Sequence, residues 1–174
     1  MRLSYTSNHI TDTVLVDDSG RQLYSTSSST FGGKTEVKKV EQMWCSNLAT
    51  FHFTCVLPDT VTMNGKDCPV KTYIAKPSWY SRRRVFTSAN GNTYEWIAKG
   101  LSGWILCLPD GTEVGRSHSR SFGLLGTRHT PYLEFNDDPT ILSDLDELVA
   151  TFVYVQIRRE KDERASASAP VATG

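Results

Sequence analysis

The sequence predicts a mainly β fold, an antiparallel β-barrel or closed meander with one hydrophobic C-terminal helix at its centre. Three observations carry this reading. Tight-turn chemistry recurs through the first three quarters of the chain, and short strand-like runs lie between the turns. The one strong helical pattern comes last and has almost no wet face.

The turns are "DDSGRQ" at 17–22, "MNGK" at 63–66, "ANGN" at 89–92 and "PDGT" at 109–112. Each puts Gly after Ser, Asn or Asp, where a hairpin needs positive φ. Between them the strand-like runs are "TVLV" 13–16, "RQLYST" 21–26, "TEVKKV" 35–40, "ATFHFTCVL" 49–57, "RRVFTS" 83–88, "TYEWIA" 93–98, "GWILCL" 103–108 and "YLEF" 132–135. In "FHFTCV", Phe51, Phe53 and Cys55 share one face, and His52, Thr54 and Val56 the other. "WILCL" is apolar on both faces, as suits a strand covered on both sides. Short strands joined by tight turns point to an antiparallel meander, closed or nearly closed.

The helix follows in "NDDPTILSDLDELVATFVYVQIRRE". Asp137 or Asp138 serves as N-cap, and Pro139 sits at the first helical position, where its missing N–H costs nothing. Asp144, Asp146 and Glu147 near the start and Arg158, Arg159, Lys161 and Arg164 at the end match the helix dipole. Ile141, Leu145, Leu148, Val149, Phe152 and Val155 form a stripe, which Leu142, Val153, Tyr154 and Ile157 extend nearly all round. Such a helix is buried on all sides. The β-branched and aromatic run 151–157 suits a strand as well, so both readings of it stay open.

At 174 residues the chain reads as one domain over 1–164, with a disordered tail at 165–174. A chain of this size buries roughly 70% of its unfolded surface, enough for a core without staples. The net charge is zero, but residues 76–128 carry eight Lys/Arg against three Asp/Glu, and residues 129–174 four against nine. The two blocks can attract each other, or the basic one can form an anion-binding face. No signal-peptide organisation opens the chain, and no run of about 18 apolar residues exists for a membrane span. The four cysteines, Cys45, Cys55, Cys68 and Cys107, read as reduced thiols of a cytoplasmic protein.

Candidate chemistry is sparse. His9, His52, His118 and His129 are scattered, and His52 and Cys55 face opposite ways, so no metal site and no other cofactor is expected. His118 lies between Ser117 and Ser119, but neighbours in a strand point apart, and no nucleophile elbow is present. "FGGK" at 31–34 and "FGLLGT" at 122–127 match no nucleotide fingerprint. Neutral net charge and the lack of an RNA-binding aromatic signature argue against nucleic acid. Trp44, Trp96 and Trp104 read as core. What remains is basic: Arg82, Arg83 and Arg84 with Arg116 and Arg120, and Arg128 nearby. If these edges converge, their guanidiniums can grip an anion by forked hydrogen bonds. In a strand Arg82 and Arg84 share a face and Arg83 takes the other. Trp79 and Tyr80 beside them suit a membrane interface or ligand stacking.

The segments "DDSGRQLYSTSS", "RVFTSANGNTYEWIA", "ILCLPDGTEVGRSHSR" and "LSDLDELVATFVYVQIRRE" resemble a group of small fungal proteins classed as a domain of unknown function. Beyond it, a strand meander followed by a hydrophobic helix is similar to the tubby C-terminal-like superfamily, which includes the LURP-one-related proteins and phospholipid scramblases. The resemblance implies a barrel with the helix inside it. In tubby the barrel binds phosphoinositide head groups through basic residues, but no position of this chain is matched to those residues. Fold analogy does not hand over function.

The expectation is therefore a non-enzymatic cytoplasmic module that binds an anionic lipid or other anionic partner, peripheral at a membrane. One alternative is a small-molecule carrier or an enzyme of fungal secondary metabolism using a cavity at the barrel. The other is a protein–protein adaptor using the acidic C-terminal region.

Overall fold

In the computed structural model, residues 1–30, 33–63, 65–78, 80–100, 103–121 and 129–167 are described. They form the strands β1 (Arg2–Tyr5), β2 (Thr13–Val16), β3 (Gln22–Ser28), β4 (Lys34–Val40), β5 (Cys45–His52), β6 (Thr60–Met63) and β7 (Lys66–Pro69). A short turn of helix, α1 (Val70–Tyr73), precedes β8 (Arg83–Thr87), β9 (Thr93–Lys99), β10 (Gly103–Cys107), β11 (Glu113–His118) and β12 (Tyr132–Phe135). The chain closes with α2 (Pro139–Ser143) and α3 (Leu145–Ala167).

The strands make one antiparallel sheet in the order β7-β6-β5-β4-β3-β2-β1-β12-β11-β10-β9-β8. Two meanders are thus joined where β1 pairs with β12, with Leu3 opposite Leu133. The expected hairpin turns are formed, with Gly20, Gly65, Gly91 and Gly111 all at positive φ. Every second residue faces inward, so that Leu3, Leu15, Tyr24, Val37, Phe51 and Trp96 are buried along six different strands.

The sheet is not closed, which corrects the expectation of a closed barrel. Its edges β7 and β8 do not pair, and the space between them is spanned by one isolated bridge, Ala75 to Val85. The physical reason is local: β7 ends on Pro69, which has no N–H to donate, and the chain turns into α1. "WILCL" is covered on both sides only in part: Trp104 and Leu106 are buried on the inner face, and on the outer face Cys107 is buried while Ile105 is half-buried. Trp44, expected in the core, is 64% exposed.

α3 lies against the inner face. Residues 151–157, open between helix and strand in the sequence, are helical. Tertiary packing overrides local β-propensity there, because aromatic side chains from several strands reach the helix. The Phe152 ring lies 5.3 Å from Trp96 of β9, and Tyr154 lies 5.3 Å from Phe51 of β5. Burying each large apolar side chain contributes roughly 1.5–3 kcal/mol.

Each polar residue that interrupts the helix meets a donor from the surrounding structure. Asp146 accepts from the Tyr24 hydroxyl at 2.6 Å and from Lys39 at 2.8 Å. Glu147 accepts from the Tyr73 hydroxyl and from the Ala89 N–H. The Trp96 indole donates to Thr151 Oγ1 at 3.0 Å, and the Trp104 indole to Gln156 Oε1 at 3.0 Å. Asp138 is the N-cap of α2, accepting from the Thr140 N–H at 2.8 Å. The helix extends to Ala167, into the segment expected as tail, and residues 168–174 lie outside the described residues. Among the described residues no helix is long and apolar enough to cross a membrane.

Candidate anion-binding cleft

The five candidate arginines separate into three places. β8 alternates as expected from the sequence. Arg84 is opposite the inward-facing Trp96, and the Arg82 carbonyl accepts from the Ala98 N–H, so these two side chains take the helix side. Arg83 takes the outer face and pairs with Glu95 at 3.2 Å. Arg116 is also outer and is held by Glu113 at 2.6 Å. Arg83 and Arg116 share one row through Ile97 and Ile105, three strands apart. At roughly 4.8 Å per strand their backbones are about 14 Å apart. Arg120 lines a separate cavity of about 260 Å³ with Tyr5, Asn8, Ser117, Gln156 and Glu160. The single surface expected at 82–84 and 116–120 is therefore not formed.

Arg82 and Arg84 instead meet residues from elsewhere in the chain. A cleft of about 680 Å³ is lined by Lys76, Tyr80, Arg82, Arg84, Arg159 and Asp162. A second of about 280 Å³, lined by Leu57, Asp59, Lys71, Lys76, Arg84 and Arg158, shares Lys76 and Arg84 with it. Both surround the C-terminal half of α3.

Electrostatics distinguishes the arginines of this rim. Arg158 is engaged by Asp59 at 3.4 Å and Asp162 at 2.9 Å. Arg159 is held by Glu163 at 2.8 Å, donates to the carbonyls of Gly103 and Gly100 at 3.0 and 2.7 Å, and stands over the Trp104 ring. Arg84 is half-buried, and among the described residues its guanidinium donates to the carbonyls of Arg83 at 3.2 Å and Ser81 at 3.5 Å. Burial lowers the Arg84 pKa from its ordinary value; Tyr154 and Asp162 oppose the shift, and the neighbouring Arg158 charge adds to it. Among the described residues, no carboxylate is in ion-pair contact with Lys71, Lys76, Arg82, Arg84 or Lys161. Cations so placed can form charge-assisted hydrogen bonds with an anion.

The loop 53–59 forms the outer wall, and its shape corrects the strand expected over 49–57. β5 stops at His52. The Asp59 carboxylate then gathers the loop, accepting from the Thr54 N–H at 3.0 Å, the Tyr154 hydroxyl at 3.0 Å and Arg158. The Thr54 hydroxyl donates to the Leu57 carbonyl. The tip is left outward, with Val56 93% and Leu57 71% exposed, and Tyr80 is 74% exposed nearby. Lys71, Lys76, Arg158 and the loop tip were missed in the sequence. They are distant along the chain, and the misplaced end of β5 hid the loop.

The remaining candidates fall as follows. His118 lies on β11, where it stacks on Tyr132 at 4.1 Å and contacts Glu134 at 3.1 Å. Ser117 faces the other way, and its Oγ accepts from the Trp104 N–H. Among the described residues no group of three metal-ligating side chains occurs, and all four cysteines are free thiols. Trp79, Arg128 and the segment "FGLLGT" lie outside the described residues.

A family model described as a family of unknown function (DUF6593) matches residues 8–161. No curated protein and no solved structure matches the chain.

Proposed function

The chain belongs to the DUF6593 family of unknown function, and from that premise we propose that it is a non-enzymatic module that binds an anionic headgroup, or a comparable anion, in the Lys76–Arg82–Arg84 cleft. The observation that carries the reading is Arg84, a half-buried guanidinium that among the described residues has backbone carbonyls but no carboxylate for partners. Desolvation strengthens its hydrogen bonds to an incoming phosphate, and Lys76 and Arg82 add charge beside it. Of the arginines first singled out, Arg82 and Arg84 serve this role, while Arg83 and Arg116 are occupied by Glu95 and Glu113. The reading includes a cytoplasmic protein, peripheral at a membrane, and a tubby-like architecture of fungal origin. An antiparallel sheet laid around a C-terminal helix supports the architecture.

Thermal unfolding in the presence of inorganic pyrophosphate tests the site. A ligand at about 100 times its Kd stabilises the folded state by about 2.7 kcal/mol. The wild-type Tm rises with pyrophosphate, the rise shrinks at high salt, and Arg84→Gln abolishes it. Equal rises in the two proteins remove the site.

A second reading, a small-molecule carrier or enzyme, draws on the cavity of about 260 Å³ in which Tyr5, Ser117 and Gln156 meet beside the helix. A co-purifying small molecule, released on denaturation, supports it. An adaptor using the C-terminal acidic residues is less favoured, because Asp162 and Glu163 are paired with Arg158 and Arg159.

A further inference from the structure

We infer that the rim around the cleft is a membrane-docking face, with the Val56–Leu57 tip entering the interfacial region of an anionic bilayer. This rests on the anion-binding reading and names the source of the anion as a lipid surface.

Two independent features of the rim coincide. The first is apolar and exposed. Val56 and Leu57 are 93% and 71% exposed on adjacent residues, with Tyr80 at 74% across the cleft. A loop that held its aliphatic side chains outward by accident would be loosely attached. This one is fastened at its base, because Asp59, whose side chain is 7% exposed, binds the Thr54 N–H, the Tyr154 hydroxyl and Arg158. The Val70 N–H donates to the Asp59 carbonyl at 2.9 Å, tying the loop to α1 as well. The tip is thus presented on a rigid stem, so little conformational freedom is lost on insertion.

The second feature is charge. Leu57 shares its cleft with Lys71, Lys76 and Arg84, and Tyr80 shares the adjoining one with Lys76, Arg82 and Arg84. Lys161 stands 5.2 Å over the Phe53 ring at the foot of the same loop. The rim carboxylates Asp59, Asp162 and Glu163 are taken up by Arg158 and Arg159, so the outward field is positive. Aliphatic tips ringed by cations fit an anionic bilayer, where apolar contact and attraction to headgroups act together. A soluble anion would use the cations and leave the tip bare.

The test is co-sedimentation of the full chain with phosphatidylcholine vesicles, with and without phosphatidylserine. Wild type is expected to sediment with the anionic vesicles and not with phosphatidylcholine alone. Val56→Ser combined with Leu57→Ser changes only exposed side chains and adds no charge beside the cleft, so folding is retained and checked by an unchanged Tm. It is expected to weaken vesicle binding by about tenfold or more, while its stabilisation by pyrophosphate stays. No vesicle binding by wild type, or full binding by the double variant, overturns the inference. If pyrophosphate stabilisation persists in that case, the cleft reading stands alone. If Arg84→Gln keeps vesicle binding and the double variant loses it, the tip is the anchor and the cleft reading falls.

Discussion

The Tyr94 hydroxyl donates to the Asp144 carboxylate at 2.7 Å, joining β9 to the junction of α2 and α3. Asn90 and Asn92, from the turn before β9, donate to the same carboxylate at 2.7 and 2.8 Å. The Asp144 carbonyl accepts the Glu147 and Leu148 N–H groups and starts α3. One residue, 2% exposed, therefore registers the central helix against the β8–β9 hairpin.

Replacing Asp144 with Ala leaves a buried hydroxyl and two amides without an acceptor. The expected loss is about 3 kcal/mol in urea unfolding. Asn92→Ala, which removes one of the donors to that carboxylate, is expected to cost about 1 kcal/mol.

Acid should act through the same residue. Burial alone would raise the Asp144 pKa, but hydrogen bonds from Tyr94, Asn92, Asn90 and Ser88 hold it below the ordinary carboxylate value. A lowered folded-state pKa contributes stability that is present above the unfolded value of about 3.9 and is lost as pH falls through the folded value. Urea midpoints should fall below about pH 4 in wild type, and the Asp144 contribution to that fall should vanish in Asp144→Asn.

Inside the helix, Thr151→Val keeps the shape and removes the acceptor for the Trp96 indole N–H. A loss of about 1–3 kcal/mol is expected, with no change in secondary structure by circular dichroism. A neutral result would mean that the indole finds another acceptor.

Gly115 offers a steric test of the β11–β12 pairing. A Cβ there would lie 2.8 Å from Phe135 Cδ1 and 2.9 Å from the Glu134 carbonyl oxygen. Gly115→Ala should cost about 1–3 kcal/mol by overpacking, and Gly100→Ala, with open space around it but a positive φ, reports backbone strain instead.

The legible parts of the fold were those written in local chemistry. β2 and β12 have the predicted bounds, Asp138 caps α2, and four glycines sit where hairpins need positive φ. β11 was not legible, because "EVGRSH" buries little beyond Val114 and Gly115 and its pattern is that of a polar loop. β6 and β7 were not legible because "TVTM" and "KDCP" together bury only Val61 and lack the apolar alternation of β2 and β12, and β1 alternates at Leu3 and Tyr5 but has no turn signal before it. For the site, alternation along β8 separated Arg83 from Arg82 and Arg84. Which of those faces met Lys76, Arg158 and the loop tip depended on the curvature of the sheet, which no local pattern encodes.

The most direct measurement of the central claim follows the arginine Nε–Hε resonances by NMR while inorganic pyrophosphate is added. The account predicts a saturable shift at Arg84, with the backbone amides of Lys76 and Arg82 moving together with it. Arg83 and Arg116, held by Glu95 and Glu113, should stay in place. Shifts spread evenly over the exposed arginines, or no shift at Arg84, would contradict it.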